Sequence, residues 1–239
     1  MKKSSKSYGN LFSSPVIIPA RLYNFSKETL RRLKVENAAS YSDYVNQLAP
    51  ATDSLGKILG DLKQARGDRK SNNAKRNLLM ETIGKNMSEK EGLIAGLVGG
   101  FNTAAYARFY PNGVTEYTES NIGEMELLVK RITSEATSNA DTLGTALTAL
   151  LLSFEPAWVA AVEEVSKTKK TLEDKRSERT VAVEALAMIL TDLVRTVAKA
   201  ASNEAQYKAL FDFNSLYPPR RGNKKNDGEE PPAEQRPAA

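Results

Sequence analysis

From Pro156 to about Ser202 the chain contains no further glycine or proline, and its apolar residues recur at near-heptad spacing. Trp158, Val162, Val165, Leu172, Val183, Leu186, Leu190, Leu193 and Val197 mark the stripe. A run of this kind fits neither the short alternating strands of a sandwich nor a loop; it is the pattern of one long helix. Some 45 helical residues would span roughly 65–70 Å. The middle of the run, Ser166 to Thr180, is strongly charged. It is expected either to project into solvent or to contain a break.

The rest of the chain extends the same reading. Ser26 is a candidate N-cap for a short helix over Lys27–Val35. A second helix begins near Ser40, with Tyr41, Tyr44, Val45 and Leu48 on its apolar side. Pro50 is expected to kink or restart it, because the residue before proline is biased away from the α region. Leu55, Ile58, Leu59 and Leu62 carry the periodicity to Gly67, a natural stop. The next helix is expected from about Lys70 to Phe109, and the capping-box pattern of Ser88 with Glu91 leaves room for a break near Asn86–Ser88. Pro111-Asn112-Gly113 ends it in a turn with positive φ. Asn121-x-x-Glu124 caps a helix to about Ser153, with Met125, Leu128, Val129, Ile132, Leu143 and Leu147 toward the core. Phe154-Glu155-Pro156 then reads as a tight connection, with proline at the favoured first helical position.

The fold expected is all-α: an elongated antiparallel bundle of about four long helices. An extended basic arm covers residues 1–26, the helical bundle 27–213, and a disordered Pro-rich, charged tail 214–239. Within the arm, Pro15-Val16-Ile17-Ile18-Pro19 suits an edge strand or a docked segment. Tyr207–Phe213 is expected to be a short helical or docked piece. A hydrophobic content of 41% supports a core, and an aromatic content of 7% means that Ala, Leu and Val must build much of it.

The chain has neither cysteine nor histidine. That removes disulfides, thiolate nucleophiles, Cys- or His-ligated zinc, imidazole acid–base chemistry and the His-containing di-iron sites of ferritin-like bundles. No phosphate-binding loop, nucleophile elbow, calcium loop or dinucleotide fingerprint occurs. The carboxylates Glu124, Glu126, Glu163, Glu164, Glu173 and Asp174 lie among lysines and arginines and read as solvated faces with ion pairs such as Glu163–Lys167. The expectation is a non-enzymatic chain without metal or cofactor. No apolar run reaches the roughly 20 residues of a membrane span, and the N-terminus is a poor secretory leader, so the expected location is cytoplasmic.

Three surfaces stand out. Gly92, Gly96, Gly100 and Ala104 recur every four residues, as do Ala136, Ala140, Gly144 and Thr148 on the next helical stretch. Small residues at that spacing suit close helix packing or self-association. Net charge is +5, and residues 1–34 hold eight Lys/Arg against one Glu. Lys2, Lys3 and Lys6 in the arm, with Arg66, Arg69, Lys70, Lys75 and Arg76 in a cluster at the expected helix–helix turn, are the candidate phosphate contacts. Phe109, Tyr110 and Tyr117 around Pro111–Gly113 form a candidate contact turn, or a plug at the bundle end.

The functional expectation is a structural or interaction protein: a helical-bundle scaffold or adaptor that assembles with itself or with a larger partner, as in a phage or mobile-element particle. The alternatives are a nucleic-acid-associated protein using the basic arm and the Lys57–Arg76 cluster, and a membrane-acting helical protein that uses the Gly92–Ala107 stretch.

Overall fold

The computed structural model describes residues 11–12, 14, 17–36, 40–201 and 204–217. Among the described residues every regular element is helical. They are α1 (Pro19–Glu36), α2 (Ser42–Leu97), α3 (Ala104–Phe109), α4 (Thr115–Thr118), α5 (Ile122–Ser138), α6 (Ala140–Leu143), α7 (Thr145–Ala200), α8 (Glu204–Leu210) and a final 3-10 turn, Phe213–Leu216. The all-α bundle read from the sequence is the observed fold. The chain divides into two compact units, Pro50–Leu186 and the remainder.

Helices α2 and α7 have 56 residues each, longer than the sequence implied. Helix α2 runs through Pro50, Gly67 and the Asn86–Ser88 capping-box pattern without ending. Helix α7 begins at Thr145 and continues through Phe154–Pro156, which is therefore no connection, and through the charged Ser166–Thr180 stretch. Packing explains the difference. A glycine in a helix interior costs about 1 kcal/mol and a proline about 3. A long buried stripe outweighs such local penalties, because tertiary contact supplies most helical stability.

In the unit Pro50–Leu186, α2 and α7 lie antiparallel. Leu62 and Ala65 cluster with Leu172, and Asp61 pairs with Lys175 at 3.5 Å. Further along, Ile83, Met87 and Ile94 share a core with Leu147, Leu151, Phe154 and Trp158. The small helices α3–α6 close this end of the helix pair as a cap. Met125, Leu128, Val129, Ile132 and Ala136 of α5 enter the same core at i, i+3, i+4, i+7 and i+11. Asn121 and Glu124 form the expected capping box: Asn121 Oδ1 accepts from Glu124 N (3.1 Å) and Glu124 Oε2 accepts from Asn121 N (3.0 Å).

Breaks between helices fall at glycines with positive φ: Gly99 (95°) and Gly100 (114°) after α2, Gly113 (76°) at the expected turn, and Gly144 (76°) before α7. The helix expected over Asn121–Ser153 is thus split at Asn139 and again at Gly144.

The other unit is built on α1. Leu22, Phe25, Thr29, Leu30 and Leu33 form its buried stripe. The helix starts at Pro19, so residues 19–26 are helical and not an extended arm. Ser26 is a buried interior residue and not the N-cap. Leu22 and Phe25 extend the apolar stripe upstream, and a proline in the first turn has no intrahelical N–H to lose. Phe25 meets Phe12 and Phe213 at 5.4 Å between ring centroids, and Tyr207 meets Phe211 at 5.2 Å. Arg32 donates to the carbonyl oxygens of Lys208 (3.5 Å) and Ala209 (3.3 Å) near the end of α8. Glu28 accepts from both Arg31 and Arg32, whose hydrogen bonds lower its carboxyl to about 2. The short segment expected at Tyr207–Phe213 is docked, and folding continues to the buried Leu216, past the expected start of the tail at residue 214. Pro15, Val16 and residues 218–239 lie outside the described residues.

Candidate interaction surfaces

The sequence pointed to three surfaces, and the structure treats each differently. The aromatic turn is interior. Phe109, Tyr110 and Tyr117 are all buried, so they plug the capped end of the helix pair and present no contact face. Tyr110 Oη donates to the carbonyl of Met87 (2.9 Å), and Tyr117 Oη donates to the carbonyl of Phe109. Arg131 holds the assembly from outside. It donates to Tyr117 Oη (3.2 Å) and Glu116 Oε1 (2.6 Å), and its guanidinium lies 5.5 Å from the Tyr117 ring centre. Tyr106 Oη donates to Glu91, and its ring stacks on Tyr110 at 5.2 Å.

Burial raises the phenols of Tyr110 and Tyr117 above the ordinary tyrosine range. Tyr106 is pushed up to about 12, first by burial and then by its bond to Glu91. A raised phenol favours the folded state below the unfolded value near 10 and loses that contribution as pH rises toward the folded value. Cap stability is therefore expected to fall above about pH 10, by about 1.4 kcal/mol per pH unit for each buried phenol. Thermal melts followed by circular dichroism between pH 8 and 11 check this; Tyr110→Phe should flatten the slope.

The small-residue ridge is not the close contact that its spacing suggested. Gly92 and Gly96 lie on α2, but Gly100 is in the following turn and Ala104 opens α3, so the four do not share one helix face. A Cβ built at Gly92, Gly96, Gly100 or Gly144 meets nothing within 4 Å. Ala136 alone of the second series is fully buried, while Ala140 and Gly144 sit at the breaks flanking α6. The close approach is at Gly84, two turns earlier on α2. A Cβ there would stand 2.6 Å from the carbonyl oxygen of Tyr117, so α4 rests directly on the α2 backbone. The open glycines instead lie beside exposed apolar residues: Leu93, Leu97 and Phe101 are 53%, 37% and 58% exposed.

The third surface is charge. Lys57–Arg76 lies within α2 and not at a turn. Lys63, Arg66, Lys70 and Lys75 are exposed; Arg69 and Arg76 are half-buried, and Arg76 Nε is a buried donor with no partner. Helix α7 brings Lys167, Lys169, Lys170, Lys175, Arg176 and Arg179 to the same stretch of the pair. Ion pairs here join Lys175 to Asp61 (3.5 Å) and Glu178 (2.7 Å), and Lys167 to Glu164 (3.0 Å) instead of the expected Glu163. Lys2, Lys3 and Lys6 lie outside the described residues.

Two shallow grooves of about 440 Å³ flank the cap, one beside Gly84, Tyr117 and Ser120, the other beside Glu116, Glu124 and Arg131. Among the described residues no cluster of three or more acidic side chains could hold a metal ion. No helix of the described residues is long and apolar enough to cross a membrane, and the Gly92–Ala107 stretch is two helices separated by a turn. No protein-family model, curated protein or solved structure matches the chain.

Proposed function

We propose that this chain is a non-enzymatic interaction protein whose paired helices form an antiparallel coiled-coil hairpin, serving as a scaffold that assembles with further copies of itself. The observation that carries the reading is the thin seam between α2 and α7. Its positions follow a 3-4 repeat: Leu55, Ile58, Leu62, Ala65, Arg69, Asn72, Arg76, Leu79 and Ile83 on α2, and Trp158, Ala161, Val165, Thr168, Leu172, Lys175, Arg179, Ala182 and Leu186 on α7. From Arg69 to Leu79 every one of these α2 positions is only half-buried, as are Ala161, Val165 and Thr168 opposite. Val162, expected in the stripe, is instead 40% exposed, beside Val159 at 43%; Leu78 of α2 is 63% exposed. Two helices alone leave these apolar side chains in water, Val159 and Val162 on one shoulder and Leu78 on the other, whereas further helices on both sides would cover them.

Light scattering coupled to size-exclusion chromatography tests the reading. The expected result is a discrete mass of two or more chains of 26.2 kDa at micromolar concentration. Replacing Leu78, Val159 and Val162 together by serine should return it to one chain. A wild-type protein that stays monomeric at every concentration tried contradicts self-assembly.

A further inference from the structure

Charge is divided unequally between the two sides of the helix pair. On α2, Leu62, Arg69 and Arg76 occupy one position of the repeat and Ala65, Asn72 and Leu79 the other. On α7, Val165, Leu172 and Arg179 match the first, and Thr168, Lys175 and Ala182 the second. In an antiparallel pair, the residues following the second position on each helix line the same shoulder. Those residues are Arg66, Asn73 and Met80 on α2 and Lys169, Arg176 and Val183 on α7, of which Arg66, Lys169 and Arg176 are charged. Lys63 and Lys70 lie next outward on α2 and Lys170 on the outer side of α7. The acids on this side are Glu163 and Glu173. The opposite shoulder carries Asp61, Asp68, Glu164, Asp174 and Glu178 beside Lys57, Lys75 and Lys167.

The ion pairs of this stretch fall on the mixed shoulder, although Lys57 and Lys75 there have no acidic group within 4.0 Å. Lys175 bonds Asp61 and Glu178, and Lys167 bonds Glu164, all on the mixed shoulder. Lys63, Arg66, Lys70, Lys169, Lys170 and Arg176 are all exposed, and none has an acidic group within 4.0 Å. Six unneutralised cations in two rows, each about 10 Å long at 1.5 Å per residue, repel one another unless an anion lies between them.

We infer that this shoulder binds the phosphate backbone of double-stranded nucleic acid without regard to sequence. A linear row of cations is matched by a polymer that bears charge at regular intervals, whereas a small anion engages one or two of them. Residues 57–76 and 161–180 contain no aromatic side chain. The surface therefore has nothing on which single-stranded bases could stack and no aromatic anchor for a membrane interface. What it offers is phosphate neutralisation, which is sequence-independent and strongly salt-dependent.

The test is fluorescence anisotropy of the full chain with labelled duplex DNAs of two unrelated sequences, the corresponding single strands, and vesicles containing phosphatidylserine. Both duplexes should bind alike, and binding should weaken on the order of 10³-fold between about 50 and 200 mM salt if six phosphates are contacted. Lys63→Glu/Arg66→Glu/Lys70→Glu should weaken duplex binding at least about tenfold. Lys57→Glu/Lys75→Glu/Lys167→Glu makes the same change in net charge on the other shoulder and should leave most of the binding. Circular dichroism confirms that both variants fold. Equal losses from the two variants overturn the inference, as do binding to vesicles without duplex binding, preference for the single strands, or no duplex binding at low salt. Light scattering on the same variants reads self-assembly separately, so either proposal can fail alone.

Discussion

Trp158→Ala is expected to destabilise the Pro50–Leu186 unit by about 3–5 kcal/mol, the cost of deleting a large buried aromatic side chain. Trp158 is the sole tryptophan and only 1% exposed. It stands where the paired helices enter the cap, in one core with Ile83, Met87, Phe109, Tyr117 and Phe154. The cap helices α3, α4 and α6 cannot fold alone, since isolated helices below about 12 residues are marginal in water. Their order depends on the surface that α2 and α7 present. Urea unfolding followed by circular dichroism should show the loss as a lower midpoint. The wild-type tryptophan emission should be blue-shifted when folded and move red in the same transition. A change below about 1 kcal/mol would mean that the indole is not part of the core.

Gly84→Ala should also destabilise, by about 1–3 kcal/mol, although alanine is the better helix former. The added methyl would stand 2.6 Å from a backbone oxygen of Tyr117, and backbone cannot swing aside as a flexible side chain can. Either α4 lifts from α2 or the Tyr117 ring is pulled from the core. Gly92→Ala and Gly96→Ala, on the same helix with open space around them, should each stabilise the monomer by up to about 1 kcal/mol. The sign difference within one helix is the diagnostic, read from the same urea transitions. If Gly84→Ala stabilises as the other two do, the seating of α4 on α2 is wrong.

These two sites show what was legible in the sequence. The apolar period of Trp158, Leu172, Leu186, Leu190 and Leu193 gave the helix and most of its buried face correctly, because the stripe repeats over many turns. Asn121-x-x-Glu124 and Asn112-Gly113 were readable because their chemistry is local: a side chain reaching three residues along, and a backbone that needs positive φ. Pro50, Gly67 and Pro156 misled for the same reason. They carry real local penalties, and only the partner helix reveals the burial that outweighs them. The glycine ridge failed in a different way. Spacing every four residues identifies a bare helix face but not what covers it, and the covered glycine was Gly84, two turns before the ridge began. Gly84 stands in the same i+4 series, two steps before Gly92 through Ser88. The aromatic turn was read as contact face or plug, and burial decides for the plug.

The basic cluster was visible as composition, but its sorting onto one shoulder was not. That sorting requires the register between α2 and α7, set by Ala65 and Leu62 against Leu172. Once the register is known, the acids Asp61, Asp68, Glu164, Asp174 and Glu178 fall on one shoulder and most of the cations on the other.

That register is the central claim, and chemical cross-linking tests it directly. The chain has no native cysteine, so only introduced thiols react. Arg66→Cys with Lys169→Cys places both thiols on the basic shoulder. Arg66→Cys with Thr171→Cys keeps the level along the helices but moves one thiol to the opposite shoulder. Both pairs are exposed. With a short bismaleimide at dilute protein, read by peptide mass spectrometry, the Arg66/Lys169 variant should form the intramolecular link in high yield and the Arg66/Thr171 variant little. Equal yields, or preferential linking of the second pair, would contradict the antiparallel register and with it the assignment of the basic shoulder.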